Sequence, residues 1–211
     1  MKKVSKVTVV MLVLAMVFSL CGCGNAAKKL YGTWSMDVDM GETISSDMGE
    51  EFADFESVLD VKMLMTFNED GTFEMTVDKD SFIESFNGWL DDFIAYSVDM
   101  TYTQFADMGV EKADADAMIE EQFGGTMEEY LREMMESQLD AETMADEMAT
   151  EGVWEVKGDK LYTSEGSEID EDDFDTFSIS GDKLTINAPE GAESDAVIPG
   201  IEYPMVFTKE K

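Results

Sequence analysis

The side chains that most often perform catalysis in proteins are scarce in this sequence. The 211 residues contain no histidine, which is the commonest general base and a frequent metal ligand. Nucleophiles that depend on a histidine partner are therefore excluded. Carboxylates are abundant, with 48 Asp and Glu, and a pair of them could act as acid and base in glycoside hydrolysis. Because acidic residues occur throughout the chain, no particular pair stands out, and we expect no enzymatic activity and no cofactor.

Two cysteines, Cys21 and Cys23, lie close together near the amino terminus. A structural zinc site needs about four ligands, and a chain with no histidine and no further cysteine cannot complete one here. Three lysines and an uncharged stretch over residues 7–20 precede this pair, which is the order of an export signal. The stretch has about 14 residues, fewer than the roughly 20 needed to cross a bilayer. The sequence therefore predicts a cleaved signal peptide over residues 1–22.

The segment Leu20-Cys21-Gly22-Cys23 resembles the lipobox of bacterial lipoproteins. The resemblance implies that the Cys23 thiol receives diacylglycerol and that the signal is cut just before it. Stable anchoring takes two acyl chains, since each buried methylene contributes about 0.8 kcal/mol. We therefore expect the protein to stay lipid-anchored on the extracytoplasmic face of the cell membrane. Residues 23–29 then form a short polar tether.

The residues that follow the predicted signal carry a large negative charge, with eleven Lys and Arg against 48 Asp and Glu. Nucleic-acid binding requires basic clusters that displace counterions from phosphates, so it is excluded as a function. Adsorption of the protein itself to anionic headgroups is equally unexpected. Aromatic residues make up 10% of the chain, which favours a folded domain over disorder.

Short segments of alternating polar and apolar residues predict antiparallel strands. The first segment spans residues 30–38, and the last spans residues 203–208. Three hairpins lie between them, and each turns at a glycine paired with aspartate, a combination that tolerates positive φ. These turns are Asp70-Gly71, Gly158-Asp159 and Gly181-Asp182. The total of about eight strands is the number that closes a small barrel around side chains or one ligand.

Helical periodicity replaces strand periodicity between the first hairpin and the second. Apolar spacing predicts one helix over residues 82–94 and another over 117–123. A capping box at Thr126 and Glu129 starts a third helix, whose apolar face runs to Leu139. A further helix is predicted earlier in the chain, where apolar residues recur every three or four positions. Those residues are Met48, Phe52, Phe55 and Leu59.

Gly32-Thr33-Trp34 resembles the first-strand G-x-W motif of lipocalin-like, or calycin-type, barrels. The later hairpins, with Gly152-Val153-Trp154 and two Gly-Asp turns, resemble those of small lipocalin-like lipoproteins of Gram-positive bacteria. The resemblance covers residues 30–77 and 152–208. It implies that Trp34 closes the barrel floor against a basic residue from a late strand, for which Lys209 is the candidate.

The predicted fold is thus mainly β with an α insertion. It is a small antiparallel lipocalin-like barrel over residues 30–211, with the helical insertion at about 79–150. The resemblance further implies a barrel able to hold a small apolar ligand.

Two acidic segments superficially suggest calcium binding. The segment that begins at Thr66 has Thr rather than Asp at position one of the loop and Val77 rather than Glu at position twelve, so it predicts a hairpin turn. The run from Asp170 to Asp175 is expected to be a solvated acidic loop.

Fifteen methionines follow the signal. Thioethers suit Cu(I) but also fill irregular cores. The core interpretation is favoured, because most of the methionines lie at helical or strand spacing with other apolar residues.

Three functions remain open at the level of sequence. The first is a non-enzymatic surface barrel that binds a small or peptidic ligand. The second is an interaction module, in which the acidic helices between Phe82 and Met148 bind basic peptides or partner proteins. The third is an envelope hydrolase, which requires an Asp or Glu with a raised pKa in a deep cleft.

Overall fold

The structure is a computed structural model and describes residues 26–49, 52–188, 201 and 203–211. The predicted signal peptide over residues 1–22 and the lipidation residue Cys23 lie outside the described residues. Within the described ranges, no helix is both long enough and apolar enough to pass through a bilayer.

Eight antiparallel strands form a closed barrel. Each strand pairs with its neighbour in sequence, and the first strand pairs with the last. The predicted fold class is confirmed, and the architecture is consistent with a lipocalin-like fold. The strands are β1 (Gly32–Asp39), β2 (Asp60–Phe67), β3 (Thr72–Val77), β4 (Thr150–Lys157), β5 (Lys160–Ser164), β6 (Asp175–Ser180), β7 (Lys183–Asn187) and β8 (Met205–Lys209).

The three predicted hairpin turns form where glycine allows them. Gly71, Gly158 and Gly181 have φ values of 86°, 75° and 65°, a region that side chains with a Cβ rarely enter. The turn between β2 and β3 is further held by Asp70, whose carboxylate accepts from the Thr72 backbone N–H at 3.0 Å. All three turns lie at the same end of the barrel as the start of β1.

Helices lie between β3 and β4, as predicted for the insertion. They are α3 (Lys79–Asp107), α4 (Lys112–Phe123), α5 (Met127–Glu136) and α6 (Ala141–Glu147). The capping box of Thr126 and Glu129 is confirmed at the start of α5. Leu139 packs against the buried core, as predicted, but it lies beyond the helix, because α5 ends at Glu136 and Asp140 then caps a separate helix, α6.

Two short helices precede β2. Residues 26–30 form α1, and α2 spans Gly41–Asp47. The helix predicted from Met48 to Leu59 is wrong, because Gly49 has a φ of 107° directly after α2 ends. Phe55 and Leu59 are nevertheless buried, and the Phe55 ring packs edge-on against Trp89 of α3. Their spacing therefore reflects burial under the insertion rather than a helix.

The buried side chains form two clusters, one at each end of the barrel. The first, here called the floor cluster, fills the end where β1 begins. It comprises Leu30, Trp34, Met65, Phe67, Phe73, Trp154, Leu161, Phe177, Leu184, Ile186 and Phe207. The second, the insertion cluster, joins α3 and α6 to the opposite end. It comprises Phe55, Leu59, Val61, Met63, Val77, Phe82, Phe86, Trp89, Leu90, Phe93, Ile94, Ala145 and Ile201.

Two glycines provide a matched test of this packing. A Cβ at Gly152 would lie 2.0 Å from the Ser164 carbonyl oxygen and 2.7 Å from Cε1 of Phe73, its cross-strand partner. A Cβ at Gly88, an exposed position in α3, would meet nothing within 4 Å.

We therefore expect Gly152→Ala to lower the free energy of unfolding by about 1–3 kcal/mol through overpacking. Gly88→Ala should raise it by about 0.5–1 kcal/mol, because alanine restricts the unfolded chain and favours helix. Urea unfolding followed by circular dichroism measures both changes. Shifts of the same sign in the two variants would contradict the described packing.

Candidate functional site

The two residues of the G-x-W motif lie at the floor of the barrel. Gly32 opens β1 with a φ of 104°, and the Trp34 side chain is fully buried. The Trp34 indole N–H donates to the carbonyl oxygen of Leu30 in α1 at 2.6 Å. The Lys209 Nζ lies 4.8 Å from the centroid of the Trp34 ring and donates to the Lys29 carbonyl oxygen at 3.0 Å. Lys209, the last residue of β8, therefore lies against Trp34 and ties α1 to the floor.

A cavity of about 390 Å³ lies inside the barrel above the floor cluster. Its size is within the usual range for small-molecule sites. Five methionines, two phenylalanines, Ile201 and Tyr203 form its apolar wall. These methionines and phenylalanines are Met36, Met63, Met65, Met75, Met205, Phe73 and Phe207. The sequence signal for this wall was the alternation of apolar residues along β1, β2 and β3. That alternation placed these side chains inside the barrel but did not show that space remains beside them.

Carboxylates line the rim of the cavity at the end away from the floor. They are Glu165, Asp170, Asp173 and Asp175, from the β5–β6 connection and the first residue of β6. None of the described residues that line the cavity is basic. The rim therefore has a negative potential that favours positively charged ligands.

The run from Asp170 to Asp175 was predicted to be a solvated loop, and most of it is exposed. Glu171 bonds to Lys157 Nζ at 2.8 Å on the outside of the barrel. Asp170, Asp173 and Asp175 instead line the cavity. The sequence did not reveal this placement, because it depends on how the β5–β6 connection folds back over the opening.

Asp175 is the most constrained of the rim carboxylates. Its Oδ1 accepts a hydrogen bond from the Tyr203 hydroxyl at 3.1 Å. Burial raises the pKa of the Asp175 carboxyl, with a smaller contribution from the nearby charge of Asp173, while the Tyr203 hydrogen bond opposes the shift. Burial and the same two carboxylates raise the pKa of Tyr203 to about 12, so its phenol stays protonated and donates.

The described residues include no group of three or more acidic side chains arranged to hold a metal ion. No family model, curated protein or solved structure matches the chain.

The raised pKa of Asp175 predicts a specific dependence of stability on pH. Because burial raises the folded-state pKa above the unfolded value, Asp175 favours folding at low pH and opposes it as pH rises through the folded pKa. Asp175→Asn keeps an acceptor for Tyr203 and removes the charge. We expect this variant to be more stable than the parent at pH 7, with the difference lost at about pH 3, below the unfolded pKa.

Urea midpoints at the two pH values measure this effect. Asp172→Asn, at an exposed position in the same loop, is the control and should not show the same convergence. A variant at Asp175 that is less stable than the parent at pH 7 would contradict the assigned burial.

Proposed function

We propose that this chain is a non-enzymatic lipoprotein of the extracytoplasmic membrane surface, whose barrel binds a small apolar ligand that carries a positive charge. The observation behind this proposal is the cavity of about 390 Å³, which combines an apolar wall with a carboxylate rim. A ligand with an apolar body and a cationic group complements both parts.

The wall favours shape tolerance over strict selectivity. Methionine is unbranched and polarizable, so a wall of five thioethers can adjust to apolar ligands of different outline. The rim supplies orientation, because Asp175 and Asp173 attract a cation to one end of the cavity. Together they favour a class of ligand, the cationic amphiphile, rather than one compound.

A hydrolase would use the same rim differently. Asp175 provides the raised pKa that such an enzyme needs in a general acid, and Asp173 is a second carboxylate nearby. Ligand binding explains the site better than hydrolysis does. The Tyr203 hydroxyl already donates a hydrogen bond to Asp175, and the opposite wall consists of thioether and aromatic groups. Thioether and aromatic side chains cannot act as a general base, and the Tyr203 phenol stays protonated, so the wall that faces the carboxylates offers no second group for catalysis.

The predicted lipid at Cys23 gives the barrel an orientation. Residue 23 precedes α1 by three positions, which span at most about 10 Å, and α1 packs on the floor. A lipid on Cys23 therefore holds the floor close to the membrane, while the cavity opens at the far end.

The distribution of charge supports the same orientation. Seven of the eleven Lys and Arg that follow the signal lie at the floor end of the barrel. They are Lys28, Lys29, Lys157, Lys160, Lys183, Lys209 and Lys211. An anionic membrane repels the acidic insertion and accommodates the lysine-bearing end.

The anchor is tested by labelling cells with a traceable fatty acid. We expect the label on the parent chain and on Cys21→Ala, since Cys21 occupies the variable position of the lipobox. Cys23→Ala should carry no label, because its side chain has no thiol to acylate. Equal labelling of Cys23→Ala and the parent would refute the anchor.

The ligand class is tested with three amphiphiles of equal chain length that differ only in the head group. Decylammonium, decanol and decanoate are each titrated, below micelle formation, against a fluorescent apolar probe bound to the protein. We expect decylammonium to displace the probe best and decanoate worst. Asp175→Asn should weaken decylammonium about tenfold, or about 1.4 kcal/mol, and leave decanol unchanged.

Asp172→Asn is again the matched control and should behave as the parent. Failure of the parent chain to bind the probe would refute the cavity as a ligand site. Equal affinity for decylammonium and decanoate would refute only the preference for a cationic head group and would leave the cavity as a ligand site.

A further inference from the structure

Four methionines of the cavity wall lie on three adjacent strands. Met36 of β1 is directly opposite Met63 of β2, and Met65 of β2 is directly opposite Met75 of β3. Met63 and Met65 are two residues apart, so their side chains leave the same face of β2. All four line the one cavity. They are here called the thioether cluster.

The strand register brings these sulfur atoms within reach of one another. Residues directly opposite in an antiparallel pair have Cβ atoms about 4.5–5.5 Å apart, and residues two apart on one strand are about 7 Å apart. Each methionine sulfur lies two bonds beyond Cβ on a chain of freely rotating bonds. Three of the four sulfurs can therefore converge on one ion without movement of the backbone.

The methionines of the thioether cluster are not among the completely buried side chains of the described residues. The most deeply buried side chains of the described residues are tryptophan, phenylalanine, leucine, isoleucine and valine. Met63 and Met65 each remain 8% exposed, and Met36 and Met75 are half-buried. All four methionines line the cavity, where an ion could reach their sulfurs.

Thioether sulfur is a neutral, soft donor. It prefers Cu(I) to Mg²⁺ and Ca²⁺, which require oxygen ligands, and to Zn²⁺, which takes thiolate, imidazole or carboxylate. The chain has no histidine to compete for the ion. Its two cysteines, Cys21 and Cys23, lie outside the barrel strands.

We propose that the thioether cluster of Met36, Met63, Met65 and Met75 binds Cu(I). The carboxylate rim attracts the cation to the opening, and the sulfurs hold it in the interior. Because a thioether has no proton to lose, the affinity is independent of pH near neutrality, unlike that of thiolate or imidazole sites. The proposal depends on the barrel and its cavity, and not on the amphiphile described above.

The test uses the full chain with Cys21→Ser and Cys23→Ser, purified in detergent, so that no thiol contributes. Cu(I) is titrated without oxygen in competition with the chromogenic chelator bicinchoninate. We expect one Cu(I) per chain, with the same affinity at pH 6 and pH 7.5 after correction for the chelator. X-ray absorption should show sulfur ligands around the copper.

The decisive variant is Met63→Leu/Met65→Leu in that background. Leucine conserves volume and apolar character, so the fold and the thermal midpoint should change little. Cu(I) affinity should fall at least 100-fold. The control Met134→Leu/Met135→Leu, in α5, removes two adjacent thioethers outside the cluster and should leave Cu(I) affinity unchanged.

Met36→Leu/Met75→Leu removes the other member of each cross-strand pair and serves as the second variant if the first lowers the thermal midpoint. Absence of Cu(I) binding by the parent would overturn the proposal, as would equal binding by the parent and both cluster variants. A parent that binds Cu(I) but not the apolar probe would refute the proposed function while supporting this site. A parent that binds the apolar probe but not Cu(I) would refute only the proposed Cu(I) site.

Discussion

The pairing of β1 with β8 closes the barrel, and the interior exists only because that seam is closed. Trp34 lies opposite Lys209 and Ser35 opposite Thr208 in this pairing. Lys209 of β8 stabilises this pairing at the floor, because its ammonium lies over the Trp34 ring of β1 and donates a hydrogen bond to the Lys29 carbonyl oxygen. A closed sheet has no exposed edge to recruit another chain. It also fixes the volume that eight strands enclose, which is enough for packed side chains or one small ligand.

The enclosed volume is divided along the barrel axis. At the floor, Trp34 and Phe67 are almost completely buried, and neither lines the cavity. Toward the other end the inward positions are occupied by methionine, and a cavity remains. The insertion closes part of this end, because Phe82 and Phe86 of α3 pack in one cluster with Val61 of β2. The helices thus bury their own apolar face against this end of the barrel.

The sequence was sufficient to predict the barrel because local rules and global packing agree there. Gly71, Gly158 and Gly181 fix the turns, and the alternation of β2 fixes which side chains point inward. The helix predicted around Phe55 was wrong for the opposite reason. There the spacing of apolar residues arose from contacts with Trp89 and Phe93, which are distant in sequence, and Gly49 prevented a helix. Local periodicity cannot distinguish a helical face from an irregular segment buried beneath another helix.

The cavity was beyond prediction from sequence for a related reason. Alternation places Met36, Met63 and Met65 inside the barrel, but whether they fill it depends on the summed volume of side chains from all eight strands. The rim was equally hidden. Asp170 and Asp173 belong to a connection whose path over the opening is set by tertiary contacts, among them the bond between Tyr203 and Asp175.

The fold distributes the charged residues unevenly along the barrel axis. The chain has a formal net charge of −34, yet most lysines of the barrel lie at its floor. The ion pairs of the insertion are exposed and contribute little individually; the Arg132 guanidinium, for example, lies 2.7 Å from Asp91 and 3.6 Å from Glu128. The acidic surplus therefore acts less through local pairs than through the field of the whole molecule. Along the barrel axis, lysines lie at the floor, next to the predicted tether, and carboxylates line the rim of the cavity. The rim carboxylates favour the approach of a cation at that end. Closure of the barrel, the position of the lysines and the carboxylate rim thus favour the same polarity, with the predicted anchor and the proposed binding site at opposite ends of the barrel.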